Sequence, residues 1–158
     1  KGRGRPRLCC SLHPSAASRW GVTGPYERLS LLLSEVIRTG DSPVEVGRRA
    51  ARRHRLGTAA LGTAPASEPV NAFVVQMARE GFEPTADVRG DTVEVVLGCC
   101  PFVTTALADP DTVCELHLGM AYGAAEQSGG MVVDELLPED PRRARCRLRC
   151  HRVAESVA

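Results

Sequence analysis

Aromatic side chains are almost missing from this 158-residue chain: one Trp, two Tyr and three Phe, 4% in all. So few rings leave little surface on which the bases of a single-stranded nucleic acid could stack. Long hydrophobic runs are missing too. No stretch approaches the roughly 20 apolar residues that span a bilayer, so no membrane segment is expected. The Arg-rich start has no apolar core behind it, which argues against a secretory signal and points to the cytoplasm. Common catalytic motifs are also absent: there is no G-x-S-x-G elbow, no P-loop and no H-E-x-x-H. His13, His54 and His151 have no carboxylate or nucleophile at a suggestive spacing. The expectation is that the chain is not an enzyme.

What is present suits one globular domain, or one with a short appendage. A chain of this length buries roughly 70% of its unfolded surface and needs no disulfide staples. The net charge of +1 conceals a partition. Residues 1–60 carry a net +8, residues 61–141 a net −12 and residues 142–158 a net +5. A basic front end attracts nucleic acid and an acidic middle repels it, although solvated faces are the commoner reason for such blocks, the central one above all.

The cysteines number seven: Cys9, Cys10, Cys99, Cys100, Cys114, Cys146 and Cys150. An odd count without an export signal argues against a disulfide framework and for reduced thiols, where spaced cysteines point to metal or redox chemistry. The competing reading is a core that uses cysteine as a small hydrophobe.

Periodicity predicts the elements. Pro25 opens a helix to about Thr39 with Leu29, Leu32, Leu33 and Val36 on one stripe. Ser42-Pro43-Val44-Glu45 reads as a capping box, and its helix runs to about Leu56 with five arginines. Residues 57–67 are small and loop-like. A third helix is expected over 68–80, stopped by Gly81. The period then changes to two: residues 82–88, a turn at Arg89-Gly90-Asp91 and residues 92–97 form a hairpin. Asp109 caps a long helix from Pro110 to about Gln127. Residues 131–137 and 144–153 are two further strands, with Cys146, Leu148 and Cys150 on one face. The order predicts an α+β fold: N-terminal helices, then an antiparallel sheet in a ββαββ-like arrangement with the long helix packed on it.

Two constellations carry possible chemistry. Cys114 and His117 are three apart on the long helix, hence side by side, and both are donors that suit zinc or iron. Cys99 and Cys100, as neighbours at a strand end, should point to opposite sides, so one of them at most serves a given site. Cys146 and Cys150 lie roughly 13 Å apart along a strand, too far for one ion. Cys100, Cys114, His117 and Cys146 therefore make a possible three-Cys, one-His set, against the alternative of a thiol-containing core. The second constellation is Arg3-Gly4-Arg5-Pro6, whose extended cationic backbone could enter a minor groove.

GRGRPRL, GPYERLSLLLSEVIRTG, SPVEVGRRA, VVQMAREGFEP, VEVVLGCCPF, PDTVCELHLGMAYG and ARCRL together resemble the ArsR-like winged helix-turn-helix transcriptional regulators of actinobacterial type, related to the SufR iron–sulfur regulators. The most specific parts are Cys100-Pro101-Phe102, Cys114-x-x-His117 and Cys146. The resemblance implies that residues 1–24 are the end of a DNA-binding wing and a linker, 25–57 a helical dimerisation region, and 68–153 the sensor domain. The chain would then be the sensor half of a cytoplasmic homodimer, the recognition helix preceding it. Arg3, Arg5 and Arg7 would touch DNA. Cys100, Cys114 and Cys146 would hold an iron–sulfur cluster or, as in the more distantly similar 4-vinyl reductase type of domain, zinc, with His117 beside them. Cys9 and Cys10 depart from the pattern, standing where relatives carry large wing residues, and Cys99 and Cys150 have no family role. The alternative reading is a small-ligand-binding module whose cysteines are structural.

Overall fold

In the computed structural model of the chain, residues 24–58 and 68–153 are described. They form five helices and four strands. The helices are α1 (Pro25–Thr39), α2 (Pro43–Thr58), α3 (Pro69–Arg79), α4 (Val103–Ala108) and α5 (Pro110–Ser128). The strands are β1 (Pro84–Arg89), β2 (Thr92–Leu97), β3 (Met131–Leu137) and β4 (Cys146–Arg152). This is the expected α+β class. The basic opening with Arg3, Arg5 and Arg7 lies outside the described residues, as do Cys9 and Cys10.

Local chemistry explains most boundaries. α1 and α3 begin with Pro at the first helical position, where its missing N–H has no role, and α1 ends at Gly40 in a left-handed conformation (φ 71°). Ser42 Oγ accepts from Glu45 N–H at 3.3 Å, one half of the expected capping box. Asp109 accepts from Thr112 N–H at 3.1 Å and caps α5. The short α4 has no sequence signature: six residues with two threonines, closed between Pro101 and Pro110, are too few for a period to show.

The sheet order is β1-β2-β4-β3, antiparallel throughout. Ala86 stands opposite Val95, and Val95 opposite Leu148. The inner face therefore carries Val93, Val95, Leu97, Leu148, Cys150, Met131 and Val133, all buried. In β3 the register shifts between Val133 and Glu135. A β-bulge of this kind changes which residues face inward. Ahead of it Met131 and Val133 are buried, and after it Leu136 pairs with Leu148 and turns toward the core.

α5 lies on this face and α3 beside it, with Val113, Leu116, Met120, Phe73 and Met77 closing the core. α5 is buried on nearly all sides because α2 covers its other flank. The contact is close because it is made through glycine. A Cβ on Gly47 would overlap the Leu116 carbonyl, and one on Gly119 the Val44 carbonyl. At Gly123 it would come within 2.7 Å of the Ala51 methyl.

α1 closes the stack. Its leucine stripe, within the region that the resemblance assigns to dimerisation, packs on the chain's own core: Leu29 and Leu32 are 2% and 5% exposed, and Leu33 and Val36 pack against the same cluster. That is the ordinary fate of a stripe on a helix with a neighbour to cover it. Glu80, at the end of α3, is buried and receives the Arg28 guanidinium of α1 together with Gln76 Nε2. The α2 arginines bind carboxylates of the flanking helices. Arg49 and Arg53 hold Glu35 at 2.9 and 2.6 Å, and Arg48 and Arg52 hold Glu126 at 2.6 and 2.7 Å. No helix among the described residues is long and apolar enough to cross a membrane.

Candidate metal or ligand cavity

A cavity of about 20 Å³ lies where β2 ends, β4 begins and the first turns of α5 approach the sheet. That is room for one water molecule or one ion. Cys99, Cys100, Cys114, Cys146 and His117 line it, with Phe82, Leu97, Phe102 and Leu136 among the apolar walls.

Each donor arrives for a local reason. α5 presents Cys114 and His117 one turn apart on the face toward the sheet end. Cys146 is the first residue of β4 and pairs with Leu97, the last of β2. The two residues before it, Ala144 and Arg145, have left-handed backbones at φ 56° and 69°. Non-glycine residues pay of order 1 kcal/mol or more for that conformation. The turn is held by Asp140, whose carbonyl accepts from Arg143 and Ala144 N–H, and by Arg145 N–H donating to the Leu97 carbonyl at 2.8 Å. Glu139 N–H donates to Cys146 Sγ at 3.4 Å. Cys99 and Cys100 both line the cavity, contrary to the strand-based expectation, because the strand stops at Leu97 and a bend follows. Alternation of sides holds only within an extended strand. Cys99 Sγ also donates to the Gly81 carbonyl at 3.0 Å.

His117 is the most unusual group. It is 6% exposed, and its Nε2 has no hydrogen-bond partner. Its ring stacks on Phe82 at 4.0 Å between centroids, 12° from parallel, and Phe82 meets Phe102 edge-on at 6.0 Å. Burial alone pushes its pKa down to about 3, so the imidazole is neutral and keeps a lone pair for a ligand. Cys100 and Cys114 are pushed the other way. Burial, then the neighbouring Cys146 and Cys100 thiols and the Asp111 carboxylate, raise Cys114 to about 11. Cys100 is raised by burial in the first place, then by Cys146 and Cys99.

The four donors singled out from the sequence thus line one cavity, but they are not drawn into a coordination shell: among the described residues no three His, Cys, Asp or Glu side chains are grouped so that they could hold a metal ion. Neutral, protonated thiols have no electrostatic reason to close on a point. Thiolates do so around a cation that keeps them deprotonated. In donor type the cavity suits a thiophilic ion, but in donor spacing it does not hold one as it stands. A cluster of several irons and sulfides exceeds the volume of one water and would require the walls to part. Cys150 does not line the cavity: it is buried between Val93 and Val133, and burial pushes it up to about 12.

Sequence reasoning missed Phe82 and Leu136, and named Phe102 only as part of the Cys100-Pro101-Phe102 motif. Their only signal is being apolar beside turns, which many residues share. It also left His151 without a partner, whereas β3 brings Asp134 Oδ1 to 2.8 Å from its Nδ1. Both are half exposed on the outer face of the sheet, away from the cavity. No protein-family model matches the chain, and no curated protein matches it.

Proposed function

We propose that this chain is the sensor portion of a cytoplasmic transcriptional regulator, in which a thiophilic metal bound by Cys100, Cys114, Cys146 and His117 controls DNA binding by a homodimer. The observation that carries the reading is the cavity of about 20 Å³ lined by those three thiols and a buried imidazole whose Nε2 lacks a partner. An unsatisfied buried nitrogen is costly, and a ligand that accepts its lone pair offsets that cost. Zinc or iron supplies a positive charge that holds thiolates and imidazole at one centre. Phe82 fixes the plane of the His117 ring, and the Glu139 N–H orients Cys146, as partners of metal ligands commonly do. The size of the cavity favours a mononuclear ion over an iron–sulfur cluster.

Regulation follows from linkage. An ion that binds one arrangement of the donors more tightly than another shifts the chain toward it. The donors belong to α5, the segment after β2 and β4, so closing them moves the sheet end against α5. Arg3, Arg5 and Arg7 would contact phosphates or the minor groove, with affinity falling steeply in salt. The motif resemblance, rather than the cavity, supports this DNA-binding half of the proposal.

A second reading, a small-ligand-binding module with structural cysteines, is favoured by the apolar walls and the raised thiols. Elemental analysis and the visible spectrum of anaerobically purified chain separate the two. Stoichiometric zinc or iron that is lost in Cys114→Ser and Cys146→Ser supports the sensor. Metal-free protein that also takes up no zinc, iron or cobalt in titration overturns it.

A further inference from the structure

A homodimer needs a surface, and α1 does not offer its leucines, which pack on the chain's own core. The sheet has two edges, β1 and β3. β3 suits self-pairing poorly. It is bulged between Val133 and Glu135, and it carries Asp134 and Glu135 with no basic residue, so a second copy of it brings only like charge. β1 is regular: it pairs with β2 without a shift, from Pro84 with Leu97 to Arg89 with Thr92. Among the described residues no strand lies on its other side.

The backbone of that edge can be read from one bond. Gly98 N–H donates to the Glu83 carbonyl at 2.7 Å, just before β1 begins. Bonded pairs alternate along an antiparallel ladder, so Thr85, Asp87 and Arg89 turn their backbone groups to β2, while Ala86 and Val88 turn theirs outward. Side chains alternate as well. Val88 stands on the inner face opposite buried Val93, yet it is 41% exposed. Asp87 and Arg89 stand on the outer face, both exposed and paired with each other at 2.7 Å. Asp87-Val88-Arg89 thus sets opposite charges on either side of an exposed valine. Turned end for end about Val88, the segment is complementary to itself.

We propose that β1 is the seam of the homodimer, pairing antiparallel with β1 of a second copy about a two-fold axis through Val88. The seam rests on the homodimer in the reading above and gives it an interface, and it requires no metal. The two Val88 residues exchange N–H···O=C bonds, and each Asp87 faces Arg89 of the other copy. Ala86 faces Gly90, where even an added Cβ would meet nothing within 4 Å of its own chain. Charge and backbone chemistry select this register. An axis through Asp87 would set Asp87 against Asp87, and an axis through Ala86 would set Val88 against Pro84, which has no N–H to give. The two four-stranded sheets become one, with the helices of both copies on the same side. Two short strands bury little area beside a permanent interface, so the dimer is reversible.

Sedimentation velocity of the reduced full chain at low ionic strength tests the seam. The wild type should pass from monomer to dimer as concentration rises. Asp87→Arg sets Arg against Arg and Arg89→Asp sets Asp against Asp, twice in each dimer. Each should raise the dissociation constant roughly tenfold or more. The exposed ion pair that each removes within one chain contributes little to folding, so both variants should keep the wild-type circular dichroism. Mixing the two variants restores opposite charge at both contacts, and the mixture should form a heterodimer of near wild-type affinity, which misfolded chains could not do. A dimer unmoved by either reversal, or variants that stay monomeric when mixed, overturn the seam and leave the homodimer on another surface. A wild-type chain that remains monomeric at every concentration overturns the homodimer and the seam with it.

Discussion

At the residue scale, the positions that tolerate least are those where space has run out. Gly47 and Gly119 sit where α2 and α5 touch backbone to backbone, and neither site has a flexible side-chain end that could yield. Overpacking a core usually costs about 1–3 kcal/mol, and more when backbone must move. Gly119→Ala should therefore lower the denaturant midpoint by the equivalent of roughly 3 kcal/mol. Gly90→Ala in the hairpin turn meets nothing within 4 Å and is limited to the strain of its positive φ of 61°, of order 1 kcal/mol. Chemical unfolding followed by circular dichroism checks both. His117 is a different kind of residue. Its burial serves no hydrogen bond on Nε2, and its ring packs flat against Phe82.

At the element scale, α1 decides how its leucines should be read. Leu29 lies within the core, while Ile37 is 85% exposed. Leu29→Ala should cost about 2–5 kcal/mol of stability, as buried leucine truncations do. Ile37→Ser should change stability by less than about 0.5 kcal/mol. A thermal melt that ranks the two the other way would place Leu29 at a seam between chains and Ile37 inside. The α1–α2 contact also has a pH dependence. The hydrogen bond from Arg53 is the largest influence on Glu35, burial opposes it, Arg49 adds to it, and the net effect holds the carboxyl below its ordinary value of 4.5. The unfolded chain thus takes up the proton first as pH falls. The stabilisation is present above pH 4.5 and is lost as pH drops through the lower, native value. Melting temperature should decline in that window, and Glu35→Gln should flatten part of the decline.

At the scale of the whole molecule, the cavity ties together three stretches distant in sequence: the segment after β2, the start of α5 and the start of β4. An ion joining them would stabilise the folded chain by mass action, about 2.7 kcal/mol at a concentration a hundredfold above its dissociation constant. For a chain of this size, each kcal/mol raises the melting temperature by roughly 2–4 °C. Zinc should therefore raise the melting temperature of the reduced chain by roughly 5–10 °C, a chelator should reverse the rise, and Cys114→Ser should abolish it. A melt indifferent to zinc would point instead to the thiol-lined core.

Much of this molecule was legible in the sequence because its cues are local. Pro25, the Ser42-Pro43 box, Asp109-Pro110 and Gly90 act through their own backbone and their nearest neighbours, so they set α1, α2, α5 and the hairpin without reference to the rest of the chain. Alternation along Cys146-Leu148-Cys150 likewise separated the inner face from the outer. What depends on two distant stretches was not legible. The β2–β4 pairing puts Cys146 beside Leu97, the bulge turns Leu136 inward, and the crossing of α2 on α5 buries the glycines. The cover over Leu29 and Leu32 is of the same kind, since a stripe specifies that it will be buried but not by what. The donor types and the helix that carries two of them were written in the sequence. Their meeting in one cavity, around an imidazole with nothing to bond, was decided by packing, because only the assembled sheet end and helix start enclose a space that neither makes alone.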